Sequence, residues 1–164
     1  NFSKILSLKS PFIVKAIYES CKIKKSVVQK DEKEKGIRKI LNFGHTFAHA
    51  FEATFGYSKK LNHGEAVILG IVVALKFSLN KKLISSKDQN KILKHIIDAK
   101  LPSNIKDYFS KKDLHKILKF MSIDKKNVSQ NINLILLKNI GSTVIDNEYK
   151  KVEISKFLKK ELTN

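Results

Sequence analysis

The chain has 164 residues, 42% of them hydrophobic, and a formal net charge of +18. This length is typical of one domain with room for a hydrophobic core, so we expect residues 1–164 to form a single domain. The longest apolar run, residues 66–75, is shorter than the roughly 20 residues of a membrane span, and no signal peptide is visible, so no membrane partner is expected. Because Cys21 is the only cysteine, no internal disulfide can form, and a reducing cytoplasm is the expected compartment.

The high positive charge is a feature shared with nucleic-acid-binding modules, whose basic surfaces attract phosphate backbones. All of the 33 basic residues except Arg38 are Lys, although Arg is the preferred residue for bidentate phosphate and base contacts. The lysines are scattered along the chain instead of forming one block. A solvated Lys-rich surface explains the charge more simply, so we expect no nucleic-acid partner.

The first part of the chain predicts two helices. Residues 1–10 form a short amphipathic segment, and a helix follows from Pro11 to about Gln29, because Pro is favoured in a first helical turn. Asp31 and Glu34 have the spacing of a capping box, which predicts a central helix over residues 32–55.

The rest of the chain continues the helical pattern and then changes character. An apolar helix begins at His63, a helix over 87–99 is capped by Ser86 or Asp88, and another runs over 111–121. The segments 132–137 and 142–145, separated by a turn with a glycine, predict a β-hairpin, and a last helix covers about 151–161. The expected fold class is therefore an all-α, mainly helical domain with one small β-hairpin near the C-terminus.

One stripe of polar residues lies in the predicted central helix. At about 100° per residue, Arg38, Asn42, His45 and His49 fall within an arc of about 60°. The other sides of this helix carry Phe, Ile and Leu, whereas a surface helix normally presents a broad polar face to water. Such a stripe is typical of a helix that faces an enclosed polar site.

Three of the five histidines lie close together in the sequence, at positions 45, 49 and 63. A single His on a helix is more often structural than functional, but His45 and His49 are spaced i, i+4, which lets two imidazoles reach one ion or one substrate. A protease-type zinc helix would need Glu at position 46 as general base, and the residue there is Thr46. His63 follows a loop and starts an apolar helix, so it is able to return to the same site.

These residues stand in longer strings that resemble one family. The strings are KKSVVQKDEKEKGIRK at 24–39, LNFGHTFAHAFE at 41–52, LNHGEAV at 61–67 and IDKK at 123–126. They resemble the C-terminal domain of 3-dehydroquinate synthase, an enzyme of the shikimate pathway, and cover most of the chain from about residue 20 to 145. In that family a helical C-terminal domain supplies most of the metal and substrate site, and a separate N-terminal Rossmann-like domain, absent from this chain, holds NAD.

The resemblance assigns roles to seven residues, one of which is either Lys125 or Lys126. His45 and His63 match the metal ligands, for which the metal would be Zn or Co, and His49 matches the catalytic acid/base. The residues that match substrate-binding positions are Lys24, Arg38, Asn42 and one of Lys125 and Lys126, without a choice between these two. The family's third metal ligand is a glutamate from just upstream of the segment with which this chain begins, so the metal site here is expected to be incomplete.

The resemblance also implies a reaction and partners. The family converts 3-deoxy-D-arabino-heptulosonate 7-phosphate, a phosphorylated sugar acid, to 3-dehydroquinate and phosphate. NAD is used transiently, phosphate is eliminated, and an aldol step closes the ring. The implied partners are the N-terminal NAD-binding domain and, in a full-length enzyme, a second copy in a homodimer. We expect the 164 residues alone to be inactive.

Two related functions remain as alternatives. Another sugar-phosphate cyclase would share the metal histidines, and a metal-dependent alcohol or glycerol dehydrogenase would share the two-domain plan and the pair of metal histidines. The string from Arg38 to His49 fits the synthase better than the dehydrogenase.

Overall fold

A computed structural model describes residues 2–123 and 131–163, with the backbone alone at 146 and 147. The chain divides into two compact units, residues 1–41 and 42–164. The α-helices are α1 (Phe2–Leu6), α2 (Phe12–Lys30), α3 (His45–Thr54), α4 (His63–Asn80), α5 (Ser86–Asp98), α6 (Leu114–Ile123) and α7 (Lys151–Glu161). Three short 3₁₀ helices cover Ile37–Asn42, Ile105–Asp107 and Lys111–Asp113, and strands β1 (Asn131–Asn139) and β2 (Ser142–Lys150) form an antiparallel hairpin. The mainly helical fold with one small hairpin is thus confirmed.

The first unit consists of α1, α2 and the segment that follows them. Neither helix has a buried residue, and the apolar side chains of Val14, Ile17, Tyr18 and Ile23 on α2 are exposed. The helix predicted to begin at Pro11 is confirmed, with Pro11 as its N-cap.

The predicted central helix over residues 32–55 is wrong, because Asp31 is the C-cap of α2 and does not start a new helix. Its carboxylate accepts hydrogen bonds from the backbone N–H groups of Lys35, Gly36 and Arg38, at 2.9, 2.7 and 3.0 Å. These bonds, that of Arg38 above all, lower the pKa of Asp31 below its usual 3.8. Because the side chain satisfies amides that a helix would pair with carbonyl groups, the segment forms a loop followed by a short 3₁₀ helix.

Gly44 marks a second break in the predicted helix. Its φ of 82° lies in the left-handed region, where glycine has little steric cost, and α3 begins at the next residue. The helical phase that placed Arg38 and Asn42 in one stripe with His45 and His49 is therefore lost. His45 and His49 share α3, whereas Arg38 and Asn42 lie in the 3₁₀ helix before it.

The core of the second unit forms around α4. Half of this helix is buried, including Leu69, Val73 and Phe77, and it packs against α3, α5 and β1. The buried hydroxyl of Ser78 donates to the carbonyl of Ala74 and accepts from the N–H of Leu137, which fixes β1 against the helix. Most of the remaining core side chains come from α3, α6, β1 and α7, and the connecting segments add Leu61, Ile105, Phe109 and Leu162.

By length and composition alone α4 is long and apolar enough to cross a membrane, although its longest uninterrupted apolar run is residues 66–75. Half of this helix is buried in the protein core, and the core helix of a globular protein passes the same test of length and hydropathy. Its apolar character is explained here by packing on several sides.

The remaining elements agree with the sequence patterns except in one cap. Ser85, and not Ser86 or Asp88, is the N-cap of α5: its hydroxyl accepts from the N–H of Asp88. The predicted helix over 111–121 begins as the 3₁₀ turn Lys111–Asp113 and continues as α6. The hairpin and α7 lie where they were predicted.

The helices α3 and α4 approach each other very closely at two glycines. A Cβ atom on Gly44 would lie 2.6 Å from the backbone N of Ile71, and one on Gly70 would lie 2.9 Å from the backbone N of Ala48. A Cβ on Gly70 would come closer still to the carbonyl oxygen of Gly44. Only hydrogen fits at both positions, so these two glycines set the distance between the helices.

We predict that Gly70→Ala lowers the free energy of unfolding by about 1 to 3 kcal/mol, because the added methyl group must push backbone atoms apart. The matched control is Gly64→Ala in the same helix, where an added Cβ would meet no atom within 4 Å. That variant should lose no stability, since Ala is a better helix former than Gly. Urea denaturation followed by circular dichroism measures both, and equal effects would contradict the close approach.

Candidate metal and substrate site

Two of the predicted site histidines lie in the first turns of α3. His45 is the first residue of this helix, and His49 follows one turn later. Their ring centroids are 5.6 Å apart and the ring planes are almost perpendicular, at 80°. His45 is half-buried and His49 is exposed. The i, i+4 spacing therefore brings the two imidazoles together as the sequence predicted.

The third histidine, His63, is the first residue of α4 and returns to the same place. Its ring centroid lies 6.1 Å from that of His45 and 6.4 Å from that of His49. A capping box fixes the start of the helix: the carboxylate of Glu65 accepts from the N–H of Asn62, at 2.8 Å. The role of Glu65 in the first turn of the helix is thus structural.

Each of the two helices begins at one of these histidines, α3 at His45 and α4 at His63. Unpaired N–H groups and the helix dipole make each such end partly positive. The site therefore combines imidazole rings with a positive electrostatic field. That combination suits an anionic ligand such as a carboxylate or a phosphate.

Glu52 lies on the same face of α3 as His45 and His49 and contacts this cluster. It was not identified as a site residue from the sequence. Both of its carboxylate oxygens lie 3.1 Å from Nδ1 of His63. The Glu52 side chain is 13% exposed and that of His63 is 62% exposed. Glu52 follows His45 by seven residues and His49 by three, so its helical spacing was a signal that could have identified it.

The environment of His45 favours the neutral ring. Burial, above all, lowers its pKa below the ordinary 6.5, and the nearby His49 and His63 lower it further. The Phe43 carbonyl and the Glu52 carboxylate act in the opposite direction. A neutral imidazole can offer a lone pair to a metal ion.

These residues fit part of a divalent-metal site. Two imidazoles bound to one ion through nitrogens at about 2.1 Å hold their ring centroids no more than about 6.5 Å apart. All three centroid distances in the cluster meet this limit. Nδ1 of His45 is also buried without a hydrogen-bond partner, which costs free energy unless a ligand satisfies it. Within residues 2–123 and 131–163, however, no three His, Cys, Asp or Glu side chains are arranged to hold an ion together.

The other predicted site residues occupy different places in the chain. Lys24 is exposed on α2, and Arg38 lies in the 3₁₀ helix, where its guanidinium donates to the carbonyl of Glu32. Asn42 is the last residue of that 3₁₀ helix and is half-buried. Lys125 and Lys126 lie outside the described residues.

Solved structures identify the class of fold. The chain matches 2-deoxy-scyllo-inosose synthase, solved with carbaglucose-6-phosphate, NAD⁺ and Co²⁺, with a TM-score of 0.72 and 24% identity over 93% of this chain and 42% of that one. It matches 2-epi-5-epi-valiolone synthase from Streptomyces hygroscopicus subsp. jinggangensis, solved with NAD⁺ and Zn²⁺, with a TM-score of 0.77 and 18% identity over 98% of this chain and 43% of that one. The chain therefore has the fold of less than half of each of these two synthases.

The sequence identifies the family within this class. The family described as 3-dehydroquinate synthase C-terminal matches residues 1–127, and the chain belongs to that family. It is 58% identical to the 3-dehydroquinate synthase of Pelagibacter ubique, over 99% of this chain and 44% of that protein. The corresponding enzyme of Thermoanaerobacter pseudethanolicus is 41% identical, over 97% of this chain and 43% of that protein. The chain thus spans less than half the length of these relatives.

We predict that His45 titrates below pH 6.5, and that the protein loses stability as its pH falls through that value. In the unfolded chain this ring takes up its proton near 6.5, whereas in the folded protein it does so only at a lower pH. The loss of stability therefore begins as the pH falls through 6.5 and stops below the pKa that His45 has in the folded protein.

An NMR titration of ¹⁵N-labelled histidines measures the pKa of His45, and urea denaturation between pH 7.5 and 5 measures the stability. In the His45→Asn control this part of the pH dependence should be absent. A His45 midpoint at or above 6.5 would contradict the structure.

Proposed function

We propose that this chain is the metal- and substrate-binding part of a 3-dehydroquinate synthase in the shikimate pathway. The enzyme would convert 3-deoxy-D-arabino-heptulosonate 7-phosphate to 3-dehydroquinate and phosphate. The observation that carries the proposal is the cluster of His45, His49 and His63, whose ring centroids lie 5.6, 6.1 and 6.4 Å apart. Membership of the family supports the particular reaction.

His45 and His63 would hold a divalent metal, Zn or Co, which acts as a Lewis acid toward a substrate oxygen when bound. Burial lowers the pKa of His45 and so favours its neutral ring, and the His63 ring contacts Glu52 through Nδ1. A catalytic metal usually has three protein ligands. The third ligand would come from outside the described residues.

His49 would transfer protons. It lies one turn from His45 but is exposed, so its ring can meet a substrate beside the metal ligands. Imidazole suits this role because its ordinary pKa is close to neutral pH.

The anionic groups of the substrate would be held by cationic and amide side chains. Lys24, Arg38 and Asn42 are the proposed partners of its carboxylate and phosphate oxygens, together with one of Lys125 and Lys126. Arg38 is the only Arg among 33 basic residues, which suggests that its position needs the planar guanidinium rather than charge alone. The positive ends of α3 and α4 would add to the attraction.

The remainder of the enzyme would supply the cofactor. We propose that residues 1–164 act as one helical domain, that an N-terminal Rossmann-like domain binds NAD, and that the full-length protein is a cytoplasmic homodimer. Solved structures with this fold contain NAD⁺, and the relatives are more than twice as long as this chain. The free, exposed Cys21 agrees with a reducing compartment.

Of the alternative functions, another sugar-phosphate cyclase shares the fold, at 24% and 18% identity. The identities of 58% and 41% to named 3-dehydroquinate synthases favour that activity instead. Phosphate release with the heptulosonate phosphate as substrate, but not with glucose 6-phosphate, distinguishes the two.

We predict different effects for the three histidines in a full-length enzyme that carries this segment. His45→Ala and His63→Ala should each remove most of the bound metal, since each loses one of three ligands. His49→Ala should keep the metal and lower kcat by about 10²- to 10⁴-fold, as expected for a general acid or base. Metal analysis and kinetic assays measure these effects. Loss of metal in His49→Ala with retention in His63→Ala would instead make His45 and His49 the ligand pair.

We also predict that the 164 residues alone release little or no phosphate from the heptulosonate phosphate. They would lack both the NAD-binding domain and the third metal ligand. A phosphate-release assay measures this activity, and the His49→Ala variant of the same length gives the background rate. Turnover well above that background would contradict the proposal that the NAD-binding domain and the third metal ligand are required for activity.

A further inference from the structure

We propose that Glu52 is a positioning residue that holds His63 in the orientation and tautomer required for metal binding. The inference rests on the proposed function, because it takes His63 to be a metal ligand. It adds a residue to the site that neither the family strings nor the sequence pattern had assigned a role.

The contact between Glu52 and His63 has the geometry of an orienting pair. Both carboxylate oxygens of Glu52 lie 3.1 Å from the same ring nitrogen, Nδ1. Because a carboxylate only accepts hydrogen bonds, this nitrogen carries the proton when the ring is neutral. The lone pair of His63 then lies on Nε2, the nitrogen that Glu52 does not contact. His63 would bind a metal ion through Nε2.

The two partners differ in how strongly the protein holds them. The Glu52 side chain is only 13% exposed, and its neighbours Phe51 and Ala53 are buried in the core. The His63 side chain is 62% exposed and begins a helix at the end of a loop. Without Glu52, packing alone would restrict this ring weakly. A largely buried carboxylate on α3 therefore orients an exposed ring on α4.

This role explains why an acidic side chain lies beside a cluster of imidazoles. A metal-bound His commonly donates its other N–H to a carboxylate, and loss of that carboxylate typically lowers metal affinity by about 10- to 100-fold. Glu52 lies too far along α3 to be needed as a helix cap, and its contact with His63 joins two helices that already pack closely at Gly44 and Gly70.

The first measurement reports the tautomer and needs no metal. In the metal-free protein with ¹⁵N-labelled histidines, long-range ¹H–¹⁵N correlations should show His63 protonated at Nδ1. Glu52→Ala should shift the ring toward the Nε2-protonated form that is common in water. Glu52→Gln should keep much of the Nδ1-protonated form, because its amide oxygen can still accept this proton.

The second measurement is metal affinity in the full-length enzyme, by competition for Zn²⁺ with a chromophoric chelator. Glu52→Ala should weaken binding by about 10- to 100-fold and Glu52→Gln should weaken it less. The matched control is Glu161→Gln, which removes a carboxylate of similar exposure that pairs with Lys76 at 2.8 Å. It should leave affinity and tautomer unchanged. Circular dichroism checks that each variant is folded, and Glu52→Gln provides the test if Glu52→Ala is not.

The outcomes separate this inference from the proposed function. If His63→Ala binds Zn²⁺ as tightly as the wild type, then His63 is not a ligand and the proposed metal site is wrong. If His63→Ala loses the metal while both Glu52 variants keep wild-type affinity and an Nδ1-protonated ring, the metal site stands and the positioning role of Glu52 is overturned.

Discussion

The close approach of α3 and α4 at Gly44 and Gly70 is the constraint on which the site depends. The two helices run in opposite directions, joined by the loop at residues 55–62. Glu52 lies about two turns along α3 from Gly44, and His63 lies about two turns along α4 from Gly70. The helix pair is thus fixed at two points, one by direct backbone contact and the other by the contact between Glu52 and His63.

This arrangement makes the histidine cluster local in sequence but dependent on packing. All three imidazoles come from residues 45–63, so the cluster forms without side chains from distant parts of the chain. Their position relative to one another still depends on α4 being held in the core. The apolar side chains of α4 and the bonds of the Ser78 hydroxyl to Ala74 and Leu137 provide that support. The geometry of the histidine cluster therefore depends on the burial of α4 in the core.

The failed prediction of one central helix shows where local patterns are ambiguous. Asp31 followed by Glu34 has the spacing of a capping box, and Gly36 and Gly44 are tolerated singly within helices at a small cost. In the folded protein the Asp31 carboxylate binds the N–H groups of Lys35, Gly36 and Arg38 instead. An Asp side chain can satisfy amides in a loop as readily as at a helix start, so spacing alone does not distinguish the two.

The sequence by itself determined the helical class, the hairpin near the C-terminus, the starts of α2 and α4, and the grouping of His45, His49 and His63, because periodicity and turn residues act over short distances. It also carried the family strings. Tertiary structure alone decided the break at Gly44, where a left-handed glycine allows the backbone to lie against Gly70, and the contact of Glu52 with His63. Both depend on the distance between two helices, which is set by packing in the core and not by the spacing of residues along the chain.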